Sequence, residues 1–170
     1  DEGCAKILLE GNYLFDVIDL ESDFSKYKVI ILPDVIQINN QLSELLGEYV
    51  SNGGKLLASG VSAQTDEGKF AFDFGAEYIG KSEFRPSYFK PKFKPGELEP
   101  SAYVMYSPGH IIKLLMGVEH GEFQESYFNR DVYNFCSHQH TPPTLKRFSS
   151  GMTEGSDGIY IAWDVFDEYN

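Results

Sequence analysis

The order of apolar and polar positions divides the first third of the chain into alternating helices and strands. Residues 5–10 carry apolar side chains at helical spacing, and the Gly11 and Asn12 that follow predict a helix C-cap. Residues 13–20 are predicted to form a strand or a strand-like approach. The four apolar, mostly β-branched residues 29–32 predict a strand buried on both faces, as strands of parallel sheets are.

A second helix and strand complete a βαβ unit. Asn39 or Asn40 is predicted to cap this helix, and two consecutive glycines at positions 53 and 54 end it. Its apolar stripe consists of Leu42, Leu45, Leu46 and Tyr49. Residues 55–59 then predict another short buried strand, and we expect a right-handed crossover between the two strands.

The second half of the chain has a weaker pattern. Residues 81–100 are rich in Pro, Lys and Phe, and we interpret 81–125 as an irregular excursion within a single α/β domain that spans residues 1–170. Strand-like stretches occur at residues 102–106, near Phe123, at 132–135 and at 158–163, and residues 165–169 predict the start of a helix.

A helix at the start of an α/β domain needs a strand against its apolar face. We therefore expect a first strand to lie upstream of residue 1, and the chain to be an accessory domain of a longer polypeptide. Targeting segments would then lie outside these residues, and the sequence does not indicate a compartment.

Charge and composition narrow the classes of partner. The formal net charge of −12 and the absence of a basic stripe argue against binding to nucleic acid or to an anionic membrane. No apolar run approaches the ~20 residues that a membrane span needs. The aromatic content of 15% suits either a surface that packs against another domain or subunit, or an aromatic core.

Three segments of the first half resemble one known family. They are residues 15–19, 27–34 and 49–60, and they are similar to the β-galactosidase trimerisation domain, a relative of the class I glutamine amidotransferase fold. Residues 127–143 and 160–166 are similar to the final part of glycosyl hydrolases that carry this domain.

The resemblance implies a fold, a role and a partner. The fold would be a flavodoxin-like (class I glutamine amidotransferase-like) three-layer sandwich with a mainly parallel central sheet. The role would be homo-oligomerisation, and the partner would be a catalytic (β/α)8 barrel that precedes the domain in the parent chain.

The amidotransferase fold also suggests where a nucleophile would lie. Ser62 occupies the turn after the second strand of the βαβ unit, where a strained elbow exposes a side chain in hydrolases of this kind. His120 and Glu122 have the residue types of a base and its orienting carboxylate. The alternative is a turn serine and a loop histidine, and we expect no catalytic residue in the chain.

Two histidines in the second half could bind a metal or a neighbouring domain. His138 and His140 would share one face of a strand, and a zinc site would need a third ligand such as Asp131 or His110. We expect a hydrogen-bonded pair with no metal or other cofactor. The resemblance offers another role, in which this stretch reaches the adjacent barrel. The binding or interdomain residues would then be His138, His140, Arg130, Tyr127 and Phe128.

These observations leave one leading hypothesis and two alternatives. The chain is predicted to be a non-catalytic oligomerisation or accessory domain of a β-galactosidase-like glycoside hydrolase. One alternative is a small hydrolase or amidotransferase-like enzyme that uses the elbow serine. The other is a carbohydrate-binding module, in which exposed Tyr, Phe or Trp163 would stack on sugar rings. The carboxylates Asp66 and Glu67 are interpreted as a solvated loop pair.

Overall fold

The computed structural model describes residues 2–169, whose helices and strands pack around a hydrophobic core. The helices are α1 (Glu2–Glu10), α2 (Asn40–Ser51) and α3 (Val165–Glu168), with a 3₁₀ turn at Phe24–Lys26. The strands are β1 (Val29–Leu32), β2 (Lys55–Ser59), β3 (Ala76–Lys81), β4 (Ser87–Pro91), β5 (Tyr103–Met105), β6 (His110–Leu114), β7 (Val118–Glu125), β8 (Ser149–Glu154) and β9 (Gly158–Ile161).

The strands form a seven-stranded mixed sheet in the order β1-β2-β9-β8-β7-β4-β5, and β3 and β6 form a separate antiparallel pair. In the large sheet β1, β2 and β9 are mutually parallel, whereas the four pairings from β9 to β5 are antiparallel. The α/β class is therefore confirmed, but the prediction of a mainly parallel sheet is wrong. Parallel neighbours need long crossovers, usually helical, and β4 to β9 are joined by loops and hairpins.

The segment 81–125 is not an irregular excursion, because it contributes four of the strands. β4 through β7 all begin and end within or close to this segment, and β4 is an inner strand of the large sheet. Its Pro91 is the last residue of β4, a position that a proline occupies without interrupting the inner part of a strand. The Pro- and Lys-rich composition thus concealed a regular strand.

The predicted βαβ unit is present. Asn39 caps α2, since its side-chain oxygen accepts a hydrogen bond of 2.9 Å from the backbone N–H of Leu42. β1 nevertheless lies at the edge of the sheet, and the prediction that it is buried on both faces is wrong. Ile30 is 5% exposed, while Val29 is 52% exposed.

The first helix ends as its sequence predicts. The N–H of Tyr13 bonds to the carbonyl of Leu8 at 2.9 Å and that of Asn12 to Leu9 at 3.1 Å, with Asn12 at a φ of 56°. This is the Schellman arrangement, which satisfies the last carbonyls of a helix. Residues 13–19 form no strand pairing, however, so the predicted strand there is wrong. The predicted strand at 132–135 is also wrong, since residues 132–134 form bends and Phe135 is irregular.

A buried carboxylate, that of Glu119, connects the neighbouring strands β4, β7 and β8 in the antiparallel half of the sheet. Glu119 on β7 accepts hydrogen bonds from Nε of Arg147 (2.9 Å) and from the Ser150 hydroxyl (2.5 Å). It also forms ion pairs with Nη2 of Arg147 at 2.7 Å and with Lys92 just after β4. Burial alone would raise the pKa of Glu119, but the hydrogen bonds from Arg147, Lys92 and Ser150 outweigh it and lower the pKa to about 2.

Replacing this carboxylate tests the connection. Glu119→Gln should lower the free energy of unfolding by about 1–3 kcal/mol near pH 7, because two cations lose their anionic partner. Since the folded-state pKa is depressed, the stabilisation is complete above about pH 4.5 and is lost as the pH falls toward about 2. Urea denaturation at several pH values measures the difference between variant and native chains.

The exposed Glu97 offers a matched control, because Glu97→Gln makes the same chemical change on the solvated loop after β4. It should leave the unfolding free energy within about 0.5 kcal/mol of the native value. Equal effects of the two substitutions, or a Glu119→Gln effect that does not shrink in acid, would contradict the assignment.

Candidate functional site

The turn after β2 has the shape of an elbow but buries its serine. Gly60 and Ala63 both have φ values of 60°, so the chain reverses sharply on either side of Ser62. Ser62 is fully buried, and its hydroxyl accepts a hydrogen bond of 2.9 Å from the backbone N–H of Ile36. The hydroxyl therefore anchors the loop after β1 and is not presented to solvent.

The structure does not bring Ser62, His120 and Glu122 together. His120 and Glu122 lie on β7, three strand positions from β2, a separation of about 14 Å at normal strand spacing. The His120 ring lies 2.6 Å from a carboxylate oxygen of Glu154 on the neighbouring strand β8, and Glu122 accepts a hydrogen bond of 3.2 Å from Gln124. These contacts link neighbouring strand residues and form no triad.

A buried polar cluster lies at the carboxyl ends of the parallel strands. Asp34, which follows β1, is 1% exposed and accepts hydrogen bonds from the Ser59 hydroxyl at 2.5 Å and the Asp167 N–H at 2.7 Å. Burial raises the pKa of Asp34, and these two hydrogen bonds oppose the increase. The carboxyl group thus joins β1, β2 and α3.

His110 extends this cluster toward β3 and β6. Its ring is fully buried, with Nδ1 3.1 Å from the Tyr78 hydroxyl and Nε2 3.2 Å from Asp164. A Cβ atom at Gly60 would lie 2.1 Å from Oδ1 of Asp164, so glycine allows the carboxylate to approach the elbow. The cluster is closely packed and fixes α3 to the sheet, a structural role.

Sequence reasoning named His110 only as a possible metal ligand and did not single out Asp34 or Asp164. A signal was present, because Asp34 lies two residues after β1 and Asp164 three residues after β9. Polar residues at the carboxyl ends of parallel strands meet at one edge of a sheet. Asp66 and Glu67 at the same edge are exposed, and Glu67 pairs with Lys69 at 2.9 Å.

The 23-residue connection between β7 and β8, residues 126–148, is here called the aromatic loop. It holds six of the large apolar side chains that are exposed in the described chain: Tyr127, Val132, Tyr133, Phe135, Leu145 and Phe148. Tyr133 is 92% exposed and Phe135 68%. Phe128, also predicted to contact another domain, is only half-buried. The loop therefore presents an aromatic surface to solvent.

Hydrogen bonds fix the base and the tip of the aromatic loop. At the base, the hydroxyl of Tyr88 on β4 donates to the carbonyl of Thr141 at 2.6 Å. At the tip, the Asp131 carboxylate accepts hydrogen bonds of 2.7 Å from the backbone N–H groups of both Tyr133 and Asn134. Hydrogen bonds from the Asn134 side chain and these N–H groups lower the pKa of Asp131. The exposed aromatics thus extend from an ordered backbone.

The two predicted histidines lie on this loop and not on a strand, since His138 is in a turn and His140 is in an irregular segment. Both are exposed, and the hydroxyl of Tyr106 lies 2.6 Å from Nε2 of His140. Arg130 donates to the carbonyl of Ser137 at 3.1 Å, and its guanidinium lies 5.4 Å from the centre of the Phe135 ring. Residues 2–169 contain no group of three His, Cys, Asp or Glu side chains arranged to hold a metal ion.

Trp163 is not available to stack on a sugar. It is fully buried, its ring is parallel to that of Phe123 at 4.8 Å, and its indole N–H donates to the Ser87 hydroxyl at 2.8 Å. Among residues 2–169, none of the helices is long and apolar enough to cross a bilayer.

Comparison with known families matches residues 6–77 to a family described as the beta-galactosidase trimerisation domain. Residues 6–77 therefore resemble a β-galactosidase trimerisation domain. The resemblance drawn from residues 15–60 is therefore confirmed. The matched part of the chain comprises the βαβ unit, the elbow and the beginning of β3.

Solved structures resemble this chain over nearly its whole length. The α-L-fucosidase isoenzyme 2 from Paenibacillus thiaminolyticus is 44% identical with a TM-score of 0.94, and the match covers 98% of this chain and 26% of that one. A β-galactosidase from Bacillus circulans sp. alkalophilus is 16% identical with a TM-score of 0.68, over 96% and 25% of the two chains, which indicates a shared fold.

Curated proteins match a shorter stretch. The β-galactosidase Pbg of Clostridium perfringens is 40% identical over 57 residues, which are 34% of this chain and 8% of that protein. The chain therefore spans about a quarter of the solved relatives, and its match covers less than a tenth of this curated one.

The burial of Ser62 predicts that it is not a nucleophile. A fluorophosphonate probe should leave Ser62 unlabelled in the folded protein, as peptide mass spectrometry would show. Ser62→Ala should lower the unfolding free energy by about 1–2 kcal/mol, because the buried N–H of Ile36 loses its acceptor. Covalent labelling at Ser62 would overturn this assignment and restore the hydrolase alternative.

Proposed function

We propose that the chain is a non-catalytic assembly domain that holds three copies of a glycoside hydrolase together. Its partners are the catalytic barrel of its own parent chain and the same domain in neighbouring subunits. The aromatic loop is the observation that carries this proposal, because it combines exposed apolar side chains with an ordered backbone. Aromatic anchors on a preorganised surface are typical of the centres of protein interfaces.

Charge indicates what the aromatic loop contacts. The loop has three basic residues, Arg130, Lys146 and Arg147, and one acidic residue, Asp131, although the whole chain has a net charge of −12. Arg147 pairs with Glu119 of β7, which leaves Arg130 and Lys146 for a partner. The rest of the domain is therefore strongly acidic. A basic, aromatic loop fits an acidic face of a second copy better than it fits another copy of itself.

A contact between two different surfaces of identical subunits has consequences for symmetry. Such a heterologous contact does not form a two-fold dimer, and it closes into a ring when the rotation between subunits permits. A ring of three subunits agrees with the trimerisation domain that residues 6–77 match. In such a ring, every aromatic loop contacts the acidic face of a neighbouring subunit. A class I amidotransferase-like origin of the fold would explain why an elbow follows β2 although its serine is buried. A buried elbow serine fits a domain that has an assembly role and no catalytic role.

The relatives support the identity of the parent enzyme. The domain occurs within larger chains whose names are β-galactosidase and α-L-fucosidase, both of which are glycoside hydrolases. In the parent of this chain, the barrel would supply the two carboxylates that cleave the glycosidic bond. The buried Ser62 and the separated His120 and Glu122 fit a domain that does not take part in this chemistry.

Sedimentation velocity of the parent protein over about a hundredfold range of concentration tests the proposal. The native protein should sediment as a trimer. The double variant Tyr133→Ser/Phe135→Ser should dissociate at concentrations about tenfold or more higher than the native protein, because it removes two anchors of the interface.

Leu115→Ser/Met116→Ser provides the control, because these two residues are 55% and 100% exposed on the turn between β6 and β7. This variant should assemble like the native protein. A native protein that is monomeric at every concentration would refute the assembly role. Equal behaviour of the two double variants would refute the assignment to the aromatic loop.

A further inference from the structure

A pocket of about 430 Å³ opens between the 3₁₀ turn and the C-terminal end of α2. Its apolar lining includes Leu45 and the rings of Phe24 and Tyr49, which meet edge-on with 6.5 Å between their centres. The volume lies within the range of about 300–1,000 Å³ that concave binding sites have. The pocket is therefore large enough for an aromatic side chain of a partner.

The rim of this pocket, here called the acidic pocket, carries carboxylates. Asp23 and Glu48 line it, and both residues are exposed. Hydrogen bonds from Ser25 lower the pKa of Asp23, so this carboxyl group is charged near neutral pH. The segments around the pocket, residues 16–28 and α2, contain six acidic and two basic residues: Asp16, Asp19, Glu21, Asp23, Glu44 and Glu48, with Lys26 and Lys28.

Glu48 lies at a position in α2 that favours a cation. The last turn of the helix holds no basic residue. Because the carbonyl groups at a helix C-terminus carry partial negative charge, a cation is stabilised there and a carboxylate is not. Gly53 follows with a φ of 94°, and a Cβ atom at this position would meet nothing within 4 Å, so the pocket is open on this side. A cation supplied by a partner would therefore interact favourably with both Glu48 and the end of the helix.

The aromatic loop carries the complementary groups. The guanidinium of Arg130 lies 5.4 Å from the centre of the Phe135 ring, which is 68% exposed. One N–H group of Arg130 bonds to the carbonyl of Ser137, and a guanidinium has five such donors. The loop thus presents a cation beside an exposed aromatic ring, which matches an apolar pocket with an acidic rim.

The acidic pocket and the aromatic loop lie at opposite edges of the sheet. Lys28 and Gly54 of the pocket directly precede β1 and β2, at the amino ends of the parallel strands. Because β7 and β9 are both antiparallel to β8, and β9 is parallel to β2, β7 runs in the same direction as β2. The loop follows β7, so it lies at the carboxyl edge, and β7 is four strand positions from β1, about 19 Å. The loop therefore lies far from the pocket of its own chain.

We propose that the acidic pocket receives the aromatic loop of a second copy of this chain. The Phe135 ring packs against Phe24 and Tyr49, and the Arg130 guanidinium meets Glu48 at the end of α2. This inference rests on the proposed assembly role and names the surface that the loop contacts. Since the two surfaces lie at opposite ends of the domain, three copies can close head to tail as the sides of a triangle.

Reversing the charge of the pocket tests this inference in sedimentation velocity of the parent protein. Glu48→Arg should raise the concentration at which the trimer dissociates by about tenfold or more, because Arg130 then meets a like charge. Loss of the fold is not expected to contribute, since the substitution places a cation at a helix C-terminus. The melting temperature of the variant should therefore not fall below that of the native protein.

A matched control and a compensating variant complete the experiment. Glu44→Arg makes the same change one turn earlier on α2, at an exposed residue that does not line the pocket, and it should assemble like the native protein. Glu48→Arg/Arg130→Glu restores opposite charges and should return the dissociation concentration to within about threefold of the native value, as coupled residues do.

The outcomes separate this inference from the proposed function. If Tyr133→Ser/Phe135→Ser weakens the trimer and Glu48→Arg does not, the loop is an interface and the acidic pocket is not its acceptor. Equal effects of Glu48→Arg and Glu44→Arg, or no recovery in the compensating variant, would also overturn the pairing of loop and pocket. A native protein that is monomeric at every concentration would refute the assembly role and this inference with it.

Discussion

The packing of Trp163 holds the two halves of the sheet together. β9 is parallel to β2 on one side and antiparallel to β8 on the other, so the parallel and antiparallel halves of the sheet meet at β9. Two residues beyond its end, the indole stacks on Phe123 of β7 at 4.8 Å and meets Phe89 of β4 edge-on at 5.7 Å. A buried aromatic group of this size dominates its local energetics. The position of Asp164, and through it of the His110 cluster and α3, depends on this packing.

The sequence predicts the first half well because its signals are local. The stripe of α2, the Asn39 cap and the C-cap at Asn12 each depend on residues within a few positions of one another. The edge position of β1 could not be predicted in this way. A run of four apolar residues has the same appearance in an inner strand and in an edge strand that borders an apolar groove.

The second half was harder because antiparallel pairing depends on distant residues. β4 pairs with β7 at 30 to 38 positions along the chain, and its Ser and Lys residues give no alternation that identifies an inner strand. The candidate triad failed for a related reason. Residue types can suggest a serine, a histidine and a carboxylate, but only the strand order shows that β7 is three positions from β2.

The aromatic loop was predicted only in part, because its residues were identified but its conformation was not. The sequence identified residues of this loop as a binding or interdomain stretch. It predicted, however, that they form a strand on which His138 and His140 face the same side. The structure shows an irregular loop in which Asp131 fixes the backbone that carries Tyr133. The loop has three basic residues and one acidic residue in a chain whose net charge is −12.

Hydroxyl-radical footprinting of the parent protein tests the assembly role most directly. Tyr133 is 92% exposed in the isolated domain. Met116 is 100% exposed on the turn before β7, at the opposite end of that strand from the aromatic loop, and provides the reference. We predict that oxidation of Tyr133 is suppressed in the assembled protein and recovers on dissociation, while that of Met116 stays constant. Equal oxidation of Tyr133 in the assembled and dissociated states would contradict the account.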